Sequence, residues 1–171
     1  RQPLTDTILG ALRVCVFCFG PITAILIATR FELLRAVWES GKLTQADTIV
    51  MSLPFVAMSL GLIAFACEMM LNQTFYALTN AWTPTLIGIV TTVVWIIAAT
   101  FGVQYGAAAG WGLAAIAGAE SGAKTLKCIL MWLWLRPHLG DVKIREQVLF
   151  WIKVLVGSIL AALVASLLAR V

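Results

Sequence analysis

Long runs of apolar residues, separated by short polar stretches, dominate this chain. Each run is close to the roughly 20 residues that a helix needs to cross a hydrocarbon core about 30 Å thick, at about 1.5 Å per residue. A membrane barrel would instead show segments of about ten residues that alternate between apolar and polar side chains. The pattern therefore predicts five transmembrane helices, at residues 9–29, 49–71, 84–103, 107–135 and 148–168.

The composition agrees with this interpretation. Of the 171 residues, 61% are hydrophobic and 12% are charged, with a mean hydropathy of +0.98, whereas a soluble domain is about half apolar and about a quarter charged. The predicted fold class is an all-α, polytopic membrane helix bundle. Because the chain opens RQPLTD without an initiating Met, we expect residues 1–171 to be a partial transmembrane domain of a longer protein.

The Lys and Arg residues near the ends of the predicted spans indicate how the helices are oriented. Cytoplasmic loops carry an excess of these residues. More of them lie on the face that holds the N-terminus, among them Arg1, Arg136 and Lys143, than on the opposite face. The N-terminus and the loop at 136–147 are therefore predicted to be cytoplasmic, and the connection at 30–48 is predicted to lie on the outer face.

Two connections carry signals of local structure. In the connection at 30–48, Gly41 is a candidate end of an interfacial helix, and Thr44 with Asp47 three positions later matches a capping box that would start the next helix. The stretch FYALTNAWTP at 75–84 is predicted to be a tight cytoplasmic hairpin. Its polar residues would bond the exposed backbone groups of two helix ends, Pro84 would take a first helical position, and its aromatic residues would form an interfacial belt. The polar residues are Thr79, Asn80 and Thr83, and the aromatic ones are Phe75, Tyr76 and Trp82.

Charged residues inside the apolar runs are functional hypotheses, because each costs about 2.5 to 3.5 kcal/mol at the centre of a membrane helix. Arg13 would either extend to anionic head groups or contact a phosphate-bearing ligand. Glu120 and Lys124 are spaced to pair along one helix face, with a role in a polar pathway as the alternative. We therefore name Arg13, Glu120 and Lys124 as candidate substrate-binding residues. Lys127 is predicted to extend to the interface, and Glu68 is predicted to be interfacial rather than buried.

Small residues recur every four positions at the start of the fourth span. Such a row lets the backbone of another helix approach closely. We predict that this row is a helix-packing surface, formed by Gly106, Gly110, Ala114, Gly118 and Gly122.

The sequence shows no catalytic or metal-binding constellation. The four cysteines lie inside apolar runs, where they are expected to serve as packing side chains, and His138 has no second histidine or cysteine at ligand spacing. We expect a protein that is not an enzyme, uses no cofactor or metal, and binds no nucleic acid. The alternative is a membrane enzyme that uses His138 and Asp141 for catalysis.

Four motifs resemble those of a known family. They are ESGKLTQADT at 39–48, LGL at 60–62, FYAL at 75–78 followed by Thr83 and Pro84, and AAGWGLA at 108–114. Together they resemble the MurJ (MviN) lipid II flippases of the MOP exporter superfamily, and the resemblance covers essentially the whole chain. Asn80 stands where the family has aspartate, and Ser40 stands where it has arginine.

This resemblance implies a multi-pass transporter of the bacterial inner membrane that acts in peptidoglycan and cell wall biogenesis. It would move lipid II, the lipid-linked peptidoglycan precursor, from the cytoplasmic to the outer leaflet by alternating access. The five spans would be the ninth to thirteenth of fourteen helices and part of the second lobe. The partners would be lipid II, membrane lipids and an N-terminal lobe of the same protein, which would carry the arginines of the central cavity.

Other functions remain open from the residues alone. A polysaccharide-lipid flippase or a multidrug antiporter of the same superfamily would share the architecture but bind a different substrate. A noncatalytic membrane scaffold subunit would use the row of glycines for assembly.

Overall fold

A computed structural model describes residues 2–38, 44–107, 110–140 and 144–169 of the chain. These residues are almost entirely helical and contain no strand, which confirms the all-α prediction. A short 3-10 turn, Arg136–His138, follows the fifth helix. The helices are α1 (Gln2–Ala28), α2 (Arg30–Trp38), α3 (Gln45–Ala77), α4 (Trp82–Gly106), α5 (Gly112–Leu135) and α6 (Ile144–Leu168).

The long helices pack side by side in the order α6, α1, α3, α5, α4, and the short α2 packs against α3. The two outermost helices therefore each have one main neighbour. Their remaining surface is exposed and strongly apolar, as at Ile89 and Val93 of α4 and at Leu155 and Ile159 of α6. Such a surface suits hydrocarbon rather than water, as expected for a membrane bundle.

Among the described residues, four helices are long and apolar enough to cross a membrane: α1, α3, α4 and α6. The predicted fifth span, at 107–135, corresponds to α5, which does not meet the same criterion. Every 18-residue stretch of this 24-residue helix contains Glu120, Lys124 and Lys127. The structure places α5 between α3 and α4, so its charged residues can be accommodated by neighbouring helices.

The start of α3 confirms the predicted capping box. The backbone N–H and the hydroxyl of Thr44 both donate hydrogen bonds to the Asp47 carboxylate, at 2.8 Å each. The predicted helix within the connection at 30–48 is also present, as α2. Gly41, the predicted end of that helix, lies outside the described residues.

The hairpin between α3 and α4 is closed by backbone and side-chain hydrogen bonds. Asn80 N–H donates to the Phe75 carbonyl at 3.0 Å and Thr79 N–H donates to the Tyr76 carbonyl at 2.9 Å, the pattern of a Schellman motif. Thr79 has a φ of 56°. The Asn80 side-chain oxygen accepts hydrogen bonds from the N–H and the hydroxyl of Thr83, as expected from the sequence.

Two details of the predicted hairpin are wrong. Helix α4 begins at Trp82, so Pro84 is its third residue rather than its first. Phe75 is fully buried and does not belong to an interfacial belt, whereas Tyr76 and Trp82 are exposed. The Phe75 ring instead packs 5.2 Å from the ring of Trp134, between centroids.

A hydrophobic core holds one end of the bundle together. It joins α1, α3 and α5 with the residues that follow α5, and its members are Ile8, Leu71, Phe75, Met131, Leu135 and Leu139. The Gly140 N–H donates to the Thr5 hydroxyl at 2.8 Å, which ties the same segment to α1. This end of the bundle therefore positions the α3–α5 pair, on which the charged residues lie.

Candidate functional site

A buried carboxylate on α3 lies between two lysines of α5. Glu68 is only 6% exposed. Lys127 Nζ donates a hydrogen bond to Glu68 Oε1 at 2.6 Å, while Lys124 Nζ lies 3.4 Å from Oε2. The second contact is an ionic attraction without a hydrogen bond, because Oε2 has no hydrogen-bond partner among the described residues. We call these three residues the Glu68 triad.

The sequence brings the triad together through helix spacing and small residues. Lys124 and Lys127 are three positions apart on α5 and therefore share one face. The helices approach closely at Gly61, where a Cβ would clash with the Ser121 side chain. The Ser121 hydroxyl also donates to the Ala57 carbonyl of α3 at 2.6 Å. This close contact holds α5 at the separation at which its lysines reach α3.

The triad corrects three predictions. Glu68 is buried rather than interfacial, and Lys127 bonds to Glu68 instead of extending to the membrane surface. In the part of the chain that the structure describes, no salt bridge joins Glu120 to Lys124, so the predicted pair within α5 is also wrong. The physical reason is that Glu68 lies on the neighbouring helix, where it can balance lysine charge that would otherwise be unpaired in the membrane.

Glu120 and Lys124 instead line a cavity between α4 and α5. The cavity has a volume of about 270 Å³, and we call it the α4–α5 cavity. Trp95 Nε1 is a buried donor that has no hydrogen-bond partner in the part of the chain that the structure describes. The lining residues are Gly88, Thr91, Thr92, Trp95, Glu120, Ala123, Lys124 and Lys127.

A larger cavity of about 450 Å³ lies among α1, α3, α5 and α6, and we call it the apolar cavity. Its lining is almost wholly hydrophobic, with aromatic walls formed by Trp132, Phe150 and Trp151. Its two polar side chains are Arg13 and Gln147.

Arg13 is held by the start of α6. Its Nε donates to Gln147 Oε1 at 3.2 Å, its Nη2 lies 4.0 Å from Glu146 Oε2, and the guanidinium lies 5.8 Å from the centre of the Phe150 ring. The Arg13 side chain keeps 36% of its surface exposed. The structure thus places this candidate residue at the apolar cavity, away from Glu120 and Lys124, which lie at the α4–α5 cavity.

The whole chain, residues 1–171, matches the family model described as lipid II flippase MurJ. The chain belongs to the MurJ family of lipid II flippases. This finding confirms the resemblance that the four motifs indicated. Members of the family are transporters of the bacterial inner membrane and not catalytic enzymes, and the apolar helices agree with that location. No curated protein matches the chain, and no solved structure matches it.

The predicted glycine row makes no interhelical contact at two of its positions. A Cβ at Gly118 or Gly122 would meet nothing within 4 Å in the described chain, and a Cβ at Gly106 would meet the adjacent Trp111 ring at 2.8 Å. Gly110 has a φ of +76° in the turn before α5, a conformation that favours glycine. The predicted single row is therefore wrong, because Gly106 is the last residue of α4 and Gly110 lies in the turn before α5. A packing role of Gly118 and Gly122 stays a prediction.

No metal-binding group of three His, Cys, Asp or Glu side chains occurs within the described ranges. The His138 ring stacks on Trp134 with 4.8 Å between centroids. Asp141, its predicted partner in the enzyme alternative, lies outside the described residues.

Sequence reasoning missed two residues, Glu68 on α3 and Trp95 on α4. The polar residues Asn72 and Gln73 near Glu68 favour an interfacial position for it, and nothing in the sequence indicates a role for Trp95. One signal could have identified Glu68: it has no basic residue at helical spacing within its own apolar run, and Lys127 has no acid three or four positions away, so these two charges can cancel by pairing across helices. The orphaned N–H of Trp95 has no signal in the sequence.

Proposed function

We propose that this chain forms part of the second lobe of a flippase that moves lipid II from the cytoplasmic to the outer leaflet by alternating access. The observation that supports this most strongly is the match of all 171 residues to the MurJ family, together with a helical bundle that exposes apolar surface. The proposal includes an N-terminal lobe of the same protein, against which this part would move.

An amphiphile that crosses a membrane needs a polar path for its head group and an apolar path for its chain. The apolar cavity and the exposed face of α6 support a place for the polyprenyl chain. Arg13 lies where that cavity becomes polar, so it is suited to contact a phosphate at the junction of chain and head group. Its pairing with Gln147 orients the guanidinium toward α6.

The Glu68 triad supports a second requirement of alternating access, which is that each lobe moves as a unit. A hydrogen-bonded ion pair between α3 and α5, together with the close contact at Gly61, resists sliding of one helix past the other. Glu68 and Glu120 together balance the charges of Lys124 and Lys127, so α5 can lie at membrane depth despite its lysines.

The proposal is tested with the full-length protein that contains this chain, reconstituted in vesicles with fluorescent lipid II. We expect outward movement of lipid II and no comparable movement of a polyprenyl-linked polysaccharide unit or of a cationic drug. An Arg13→Gln variant should lower the rate of lipid II movement about tenfold, whereas the matched variant Arg35→Gln on α2 should leave it unchanged. Equally fast movement of a different lipid-linked sugar would contradict lipid II as the specific substrate. An unchanged rate in Arg13→Gln would contradict the proposed role of Arg13.

A further inference from the structure

We propose that Glu146 competes with the phosphate of the ligand for Arg13, so that ligand binding exchanges one anion for the other and releases the start of α6 from α1. This inference rests on the proposed function, in which Arg13 meets a phosphate at the edge of the apolar cavity. It adds a coupling between binding in that cavity and the position of a helix. The ligand class is an amphiphile that carries a phosphate ester on a prenyl chain.

Arg13 has hydrogen-bond donors to spare. An arginine side chain carries several N–H donors in a planar fork, and the structure gives Arg13 one hydrogen bond, from Nε to Gln147 Oε1 at 3.2 Å. Glu146 Oε2 lies 4.0 Å from Nη2, which is an ionic attraction beyond hydrogen-bond length. The terminal nitrogens of Arg13 therefore have no hydrogen-bond acceptor within the described ranges, and their N–H groups suit the oxygens of a phosphate.

Glu146 is the anion that a phosphate would replace. Its ion pair with Arg13 is partly exposed, since the side chain of Arg13 keeps 36% of its surface exposed and that of Glu146 keeps 57%. Exposed ion pairs contribute little, whereas a hydrogen-bonded pair of arginine and phosphate is stronger. Burial of the ligand's chain in the apolar cavity also holds the phosphate beside Arg13. The phosphate should therefore displace the carboxylate.

The same contacts of Arg13 hold the start of α6. They join α1 to Glu146, Gln147 and Phe150, which lie in the first two turns of α6. Gln147 and Phe150 also line the apolar cavity, so this part of α6 is one of its walls. Because α6 packs against α1 alone among the described helices, no other helix replaces these contacts when they are lost.

Farther along, α6 is fixed to α1 by a close contact. A Cβ at Gly20 would meet Val154 Cγ1 at 3.0 Å and Ser158 Oγ at 3.1 Å. The buried hydroxyls of Thr23 and Ser158 have no hydrogen-bond partner in the part of the chain that the structure describes. Packing without directed hydrogen bonds from these hydroxyls allows α6 to tilt about this contact. Displacement of Glu146 then lets the start of α6 move away from α1, which widens the apolar cavity.

The binding test uses the full-length protein in phosphatidylcholine nanodiscs, with farnesyl phosphate as the probe and farnesol as the uncharged comparison. Glu146→Gln removes the competing charge and should strengthen binding of farnesyl phosphate about two- to fivefold by calorimetry, as expected for a partly exposed ion pair. Arg13→Gln should weaken it about tenfold, because a hydrogen bond to a charged group is lost. Farnesol binding should change in neither variant. Glu32→Gln on α2 is the matched control and should bind the probe as the unchanged protein does.

Movement of α6 is measured in the same nanodiscs by electron paramagnetic resonance. The spin labels are placed at Val148 of α6 and Ile89 of α4, which are both exposed, in a protein whose four cysteines are replaced by alanine. Farnesyl phosphate should shift the distance between the labels, and farnesol should leave it unchanged. Arg13→Gln should show the shifted distance without the probe, because the contacts with α6 are already lost.

The proposal is overturned if Glu146→Gln binds farnesyl phosphate no more tightly than the unchanged protein does, or if the probe binds without a shift of the distance between the labels. Displacement of the probe by phosphatidylglycerol added to the nanodiscs would overturn the assignment to a prenyl phosphate. Lipid II movement is measured separately. If that movement depends on Arg13 while Glu146→Gln leaves probe binding unchanged, the competition is refuted and the flippase proposal stands.

Discussion

Glu68 shows how one buried charge depends on its partners. Its carboxylate is bonded by Lys127 and attracted by Lys124 within the α3–α5 contact. Breaking a buried ion pair from one side leaves an uncompensated charge, which typically costs about 3 to 5 kcal/mol, whereas replacing the pair by apolar residues is often neutral. The stability of this contact should therefore depend on whether the facing residues of α3 and α5 are both charged or both apolar. The ion pair itself is not required.

Glu68→Ala is expected to lower the free energy of unfolding by about 3 to 5 kcal/mol, because Lys127 loses its bonded partner. Thermal unfolding of the purified protein in detergent measures the change. The double variant Glu68→Leu with Lys127→Met should recover most of the loss, since both charges are then removed. A double variant no more stable than Glu68→Ala would show that the loss comes from packing rather than from the unpaired lysine.

Phe75 is the second residue whose burial has a large expected effect. It is fully enclosed in the core that joins α1, α3 and α5. Phe75→Ala should destabilise the protein by about 3 to 5 kcal/mol, as is usual for a buried aromatic residue. The neighbouring Tyr76→Ala, at an exposed position, is the matched control and should change the unfolding midpoint little. Similar effects at both positions would contradict the burial of Phe75.

At the scale of the helices, the contact between α3 and α5 depends on small side chains. Gly61 touches Ser121 so closely that any larger residue must push the helices apart. This separation also determines whether Lys127 can reach Glu68. For the contact between α3 and α5, the close-packed glycine is therefore Gly61 on α3, not Gly118 or Gly122 of the predicted row.

Gly61→Leu is expected to destabilise the protein by about 1 to 3 kcal/mol, the usual cost of overpacking, and to weaken the α3–α5 contact. Disulfide crosslinking between cysteines placed at Ala57 and Ser121 should become slower than in the parent pair. Gly157→Leu on α6, where a Cβ meets nothing within 4 Å, is the control. If both variants behave alike, the close approach at Gly61 is not what sets the helix separation.

At the scale of the whole molecule, the helices form a row whose two ends, α4 and α6, have only one main neighbour each. Alternating access requires two bodies that move relative to each other around a cavity. A single row of helices offers no second body. Its exposed apolar faces suit contact with lipid or with the helices of the proposed N-terminal lobe.

Residues 1–171 alone should therefore not transport lipid II. Vesicles that contain only this chain are expected to show the background rate of outward movement, while vesicles with the full-length protein show a higher rate. Circular dichroism and protease protection of the inserted chain establish that it is folded in the membrane. Outward movement of lipid II by this chain alone would refute the expectation.

The local pattern of the sequence determined the helices and their ends. Apolar runs of spanning length, the Thr44–Asp47 capping box and the Asn80–Thr83 turn are interactions within a few positions of the chain, so a pattern can indicate them. The four motifs likewise predicted the family that the match over 1–171 confirmed. The sequence predicts five spans, whereas four helices of the described chain are apolar enough to cross a membrane. The difference is α5, whose three charged residues lower its hydropathy.

Only the tertiary structure decided which residues meet across helices. Glu120 is the nearest acid to Lys124 along α5, yet Lys124 lies beside Glu68 on α3. Phe75 and Tyr76 are adjacent aromatic residues, yet one is buried and the other exposed. The physical reason is that burial and ion pairing depend on the rotation and separation of neighbouring helices, which are set by contacts such as Gly61 with Ser121 between residues far apart in the chain.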